Sequence, residues 1–154
     1  MALRLSLEEM AELVPEAAEW ADGDVVRWIS GVGTFAALTG YAELLWPDFT
    51  EFDDCVFRGE VDATNLQPWI DRLGGDRTAV ERVCNHVDLN YLFQNQAAIA
   101  TDTQLAYLGR LLQDMWEAKL AREFPDRRFA VELHDNPSDP NDEPLVTFSQ
   151  IRDA

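Results

Sequence analysis

The sequence predicts an α+β domain in which four or five helices pack on a small antiparallel sheet of three strands. Three observations carry that prediction. Leu105, Leu108, Leu112, Met115, Trp116 and Leu120 recur at helical spacing over more than four turns. Ser-x-x-Glu or Thr-x-x-Glu/Gln patterns at Ser6, Thr78 and Thr101 have the form of capping boxes. Glu51 to Arg58, Phe129 to His134 and Leu145 to Ile151 are short β-prone runs bounded by Pro, Asp and Asn. With 154 residues, 47% of them hydrophobic, the chain has the length and composition of a single domain, residues 1–154, with a core of its own.

The first helix starts at Leu7, where Ser6 and Glu9 form the box and Leu5 and Met10 the hydrophobic staple. Leu7, Met10, Val14 and Ala17 share one of its faces, and Pro15 breaks or kinks it because proline donates no backbone hydrogen bond. Asp22-Gly23-Asp24 is a turn whose last residue caps a long helix over 25–46, stopped by Pro47. A strand follows at Glu51 to Arg58. A short helix over 64–73 runs into the Gly74-Gly75 breaker, and Thr78 opens another as far as Val87. The segment from Leu89 to Ala100 is apolar without a period. Thr101 then starts the clearest helix, which Pro125 ends. The last two strands flank a turn-rich loop over 135–144.

Charge is the unusual quantity. Twenty-nine acids stand against twelve bases, a net −17. A positive stripe, which phosphate backbones and anionic lipid surfaces require, is not available, so direct nucleic-acid or membrane partners are disfavoured. Seven acids fall between Glu8 and Asp24 with no base among them, and residues 1–60 alone carry thirteen acids and three bases. Glu8, Glu12, Glu16 and Glu19 follow one another at helical spacing with no lysine to pair with. Each such like-charge neighbour costs a helix about 0.2–0.5 kcal/mol, a repulsion that a cationic partner relieves. Trp20 lies off the apolar face of this segment and is placed to anchor an interface.

Other motifs are weaker. Gly31-x-Gly33-x-x-Ala36 matches a dinucleotide fingerprint, but no βαβ units follow to build the parallel sheet that fingerprint needs. The acidic loop after His134 lacks the glycine and the ligand register of a calcium loop. No nucleophile elbow occurs, and no cofactor is expected. Cys55 and Cys84 sit in apolar patterns and read as free thiols of a cytoplasmic protein, since the N-terminus turns acidic before an export signal can form.

Trp46-Pro47-Asp48-Phe49 through Cys55-Val56-Phe57, and Leu105 to Trp116 with Phe124 to Phe129, resemble segments of small acidic bacterial proteins of an uncharacterised family. That resemblance implies a bacterial origin and no activity. The residues themselves point to a non-enzymatic interaction protein whose acidic surface binds a basic protein partner. An immunity protein or inhibitor of a nucleic-acid-targeting toxin or nuclease has this character. Its partner-binding residues are Glu8, Glu12, Glu16, Glu19, Trp20, Asp22, Asp24, Asp53 and Asp54. The alternative is a small metal-dependent enzyme or ligand-binding domain using His86, Asp88 and His134.

Overall fold

A computed structural model describes residues 7–16, 24–95, 99–135 and 143–152. The chain divides into two units, Met1–Ala42 and Glu43–Ala154. Its class is α+β, with six helices among the described residues and two small antiparallel sheets.

The first unit holds α1 (Leu7–Leu13), α2 (Val25–Val32) and most of α3 (Phe35–Leu45). Helix α1 stops just before Pro15, where the sequence places its break. Asp24 caps α2, its carboxylate accepting the Val26 and Arg27 N–H groups at 2.9 and 3.3 Å. The expected long helix over 25–46 is instead two. Gly33 leaves the helix in an extended conformation (φ −69°, ψ 141°), and the Thr34 hydroxyl accepts the Ala37 N–H at 3.1 Å, capping α3. A cap residue supplied in mid-run competes with helix continuation.

The second unit is built around α6 (Asp102–Glu123) and a sheet in which β5 (Leu145–Gln150) lies between β3 (Val87–Asp88) and β4 (Phe129–His134). The capping box at its start is complete: the Thr101 hydroxyl accepts the Gln104 N–H, and the Gln104 side chain accepts the Thr101 N–H. Leu105, Leu112, Trp116 and Leu120 are buried against Val131 of β4, Val146 and Phe148 of β5 and Val87 of the two-residue β3. Trp116 and Phe148 meet edge to face with ring centres 5.9 Å apart. Alternation sends Glu132, His134, Leu145 and Thr147 to the other face, where α5 (Arg77–Cys84) lies. There the Thr147 hydroxyl donates to the Arg82 carbonyl, and Arg82 pairs with Glu132 at 2.8 Å.

The strand expected over 51–58 is a hairpin. Strands β1 (Phe49–Phe52) and β2 (Cys55–Arg58) form a separate sheet joined at Asp53 and Asp54, both with positive φ (48° and 63°). Two successive left-handed residues are what a two-residue hairpin turn demands. The third strand of the larger sheet is therefore β3, which the sequence does not announce. Behind β2, Cys55 and Phe57 pack with Leu66 of α4 (Ala63–Arg72) and Val80 of α5.

The facing edges of β2 and β5 are joined by side chains. Glu81, fully buried, accepts the Val56 and Gln150 N–H groups, both at 2.8 Å. Asn85, also fully buried, accepts the Arg58 N–H and donates to the Val56 and Phe148 carbonyls. The pattern at Thr78 predicts Glu81 as a capping residue. Asp76 caps α5 instead, accepting the Ala79 N–H, and Glu81 turns inward.

Candidate functional site

A cleft of about 720 Å³ opens in the second unit where the ends of α3, β1, β2 and α6 converge. Four carboxylates line it: Glu43 from the last turn of α3, Asp48 before β1, Glu60 after β2 and Glu123 at the end of α6. Pro47 ends α3 and turns the chain into β1. Gly59, with a φ of 75°, turns it out of β2, donating its N–H to the Asp48 carbonyl at 2.7 Å. These two punctuation points bring residues far apart in sequence to one rim.

Two cations belong to this region. Lys119, its side chain only 5% exposed, reaches Asp48 at 3.4 Å and Glu123 at 3.2 Å. Its ammonium also lies 5.7 Å from the ring centres of Trp46 and Phe49. Arg58 lines the cleft and is held differently. Its guanidinium lies 5.9 Å from the centre of the Trp116 ring, and Trp116 is itself fixed by an Nε1–H donated to the Leu44 carbonyl at 3.0 Å. The Arg58 Nε is buried with no hydrogen-bond partner, and its side chain makes no ion pair among the described residues. Burial lowers its pKa, because desolvation disfavours the charged form. Glu43 and Glu60 likewise make no ion pair among the described residues.

The residues singled out from the sequence are dispersed. Glu12, Glu16 and Asp24 are exposed in the first unit, and Asp24 is committed to the α2 cap. Glu8 lies on α1, with its side chain outside the described residues, as are Glu19, Trp20 and Asp22 altogether. Asp53 and Asp54 form the hairpin turn of the second unit. Asp53 pairs with Arg77 at 3.2 Å, and the Asp54 carbonyl accepts from Arg152 at 2.7 Å. Composition points to acids in general. The cleft acids Glu43, Asp48, Glu60 and Glu123 and the unpaired Arg58 carry no mark in the sequence, because only the tertiary fold gathers them.

His86 and His134 do meet on one groove, of about 470 Å³, together with Arg82, Glu132 and Thr147. Asp88 does not line it: its carboxylate accepts the Asn90 and Tyr91 N–H groups at the start of a 3₁₀ turn. His86 Nδ1 lies 2.6 Å from the Val83 carbonyl, at the end of α5. Among the described residues, no three His, Cys, Asp or Glu side chains are grouped so as to hold a metal ion.

Cys55 borders a cavity of about 140 Å³ with Asp53, Phe57 and Arg77. Burial, reinforced by the Glu81 charge, pushes its thiol up to about 11, so it stays protonated and unreactive at neutral pH. Both cysteines are free thiols. Trp116 is a core residue, whereas Trp46 and Trp69 are partly exposed under Lys119 and Arg72. No described helix is long and apolar enough to cross a membrane. Comparison with protein-family models, with curated proteins and with solved structures finds no match.

Proposed function

We propose that this chain is a non-enzymatic interaction protein whose acidic surface binds a basic protein partner, as an immunity protein or inhibitor of a nucleic-acid-targeting toxin or nuclease does. The observation that carries the reading is the gathering of Glu43, Asp48, Glu60 and Glu123 on one cleft. Lys119 answers two of these carboxylates and leaves Glu43 and Glu60 open to an incoming cation. The exposed Glu12 and Glu16 of the first unit add to the net negative charge of the chain. A chain of net −17 attracts cations over a long range and accelerates encounter with a basic protein, at a rate that falls with salt.

The test is capture of partners from cell lysate by wild type and by two charge-reversal variants. One is Glu43→Lys/Asp48→Lys/Glu60→Lys and the other Glu12→Lys/Glu16→Lys. The reading expects a basic protein retained at low salt, weakened at roughly 0.5 M salt, where the Debye length is a few ångströms, and lost from at least one variant. Circular dichroism checks that the variants are folded. A partner held equally by both variants and by wild type excludes these surfaces.

A further inference from the structure

Arg58 is the feature that the acidic-surface reading leaves unexplained. Acids outnumber bases by 29 to 12 in this chain, and most inward-turned cations of the second unit have carboxylates beside them. Arg58 has none among the described residues, although Glu43 and Glu60 line the same cleft. The guanidinium is set against the Trp116 ring with its Nε buried and closed to a ligand, so its two terminal nitrogens are the half of a bidentate pair left for an anion. Its natural complement is a carboxylate supplied from outside.

The surrounding charge narrows the ligand. A phosphate dianion would meet a cleft lined by four carboxylates, of which Lys119 answers only Asp48 and Glu123. A carboxylate that brings its own cation meets Arg58 with one end and the unpaired Glu43 and Glu60 with the other. We infer that the cleft receives the C-terminal residue of a basic polypeptide, Arg58 taking the terminal carboxylate while Glu43 and Glu60 take the residue's basic side chain. The inference rests on the acidic-surface reading and names the part of the partner that the cleft holds. A volume of about 720 Å³ accommodates one long side chain and the turn of backbone that carries it.

The experiment is calorimetric titration of the full chain with N-acetylated tetrapeptides of three alanines and a final arginine. One carries a free C-terminal carboxylate and one a C-terminal amide, and free arginine is titrated alongside. The free-acid peptide is expected to bind at least about tenfold more tightly than the amide, the scale of one charge-assisted bidentate contact. In Arg58→Gln that ratio falls to about one, and in Arg58→Lys it is intermediate. In Glu43→Gln/Glu60→Gln, exchanging the final arginine for norleucine no longer matters. Circular dichroism confirms that each variant is folded, and Arg58→Gln breaks no ion pair.

Equal binding of acid and amide to wild type, or a ratio that Arg58→Gln leaves unchanged, overturns the inference. So does absence of any binding, or free arginine binding as tightly as the peptide, which assigns the cleft to an amino acid. Salt-sensitive capture of a basic protein alongside equal binding of acid and amide leaves the acidic-surface reading standing while this inference falls.

Discussion

Replacing Glu81 by alanine removes the carboxylate that joins β2 to β5. Three groups lose their partner at once: the Val56 N–H, the Gln150 N–H and the Arg152 guanidinium, bonded at 2.8, 2.8 and 2.8 Å. Each orphaned buried N–H costs about 1–3 kcal/mol, and breaking a buried ion pair from one side costs about 3–5 kcal/mol. These figures overlap rather than add. Arg152 is also 23% exposed and keeps the Asp54 carbonyl and the Thr78 hydroxyl, so it regains some hydration and retains neighbours. The lower part of the range, about 3–4 kcal/mol, is therefore expected, a large share of the 5–15 kcal/mol that holds an ordinary domain together. The control is Glu132→Ala. It removes a pair with Arg82 whose side chains are 32% and 50% exposed, and solvent screening keeps that loss at or below about 1 kcal/mol. Urea unfolding followed by tryptophan fluorescence reads both, with midpoint shifts interpreted at unchanged slope. A Glu81→Ala loss under about 1 kcal/mol, or one no larger than the Glu132→Ala loss, would refute the claim that this carboxylate joins the sheets.

Three further outcomes are expected. The Cys55 thiol is raised from about 9 to about 11 by burial and the Glu81 charge, so the unfolded chain releases this proton first as pH rises. Its contribution is full below about pH 9 and is lost through about pH 11, at most about 3 kcal/mol. The difference between wild-type and Cys55→Ala unfolding curves across that window measures it, and a pH-independent difference contradicts it. Asp54→Gly relieves a left-handed residue at φ 63° and is expected to raise stability by about 0.5–1 kcal/mol in the same urea assay. Protein purified without chelator or affinity tag is expected to carry no stoichiometric zinc, manganese or iron. Such metal, lost in His86→Ala or His134→Ala, would instead favour the histidine groove.

Local rules carry the sequence reading a definite distance. The long helix is written in its own residues, because the Thr101 box, the Leu105-to-Leu120 stripe and Pro125 agree at every level. The last two strands emerge for the same reason. The failures have one cause in common: a local pattern with two solutions, settled by distant contacts. Thr34 in an apolar run permits either a continuous helix or a cap, and the structure uses it as a cap. Asp53-Asp54 reads as two more residues of a strand or as a left-handed turn, and pairing of Phe49–Phe52 with Cys55–Arg58 decides for the turn. Glu81 stands where a capping box predicts an N-terminal acceptor, yet the donors its carboxylate satisfies are strand N–H groups 25 and 69 residues away.

The same logic explains why acidity alone is a poor guide to the site. A carboxylate is recognised by what answers it, and in this chain the answers are long-range. Asp24 is spent on a helix cap, Asp53 on Arg77, Glu51 on Arg127, and Glu81 on two strands and Arg152. Glu43 and Glu60 make no such pairing among the described residues, although Arg58 lines the cleft with them. Opposite charges left unmatched on one cleft are a costly arrangement for folding alone, since a partly desolvated guanidinium without its anion gives up hydration for no more than its contact with the Trp116 ring. A ligand that carries both an anion and a cation recovers that loss on binding. The expected signature is therefore thermodynamic as well as structural: Arg58→Gln should leave the free protein as stable as wild type, or more so, while weakening the peptide complex. A variant that destabilises the free fold by more than about 1 kcal/mol would show that Arg58 belongs to the core.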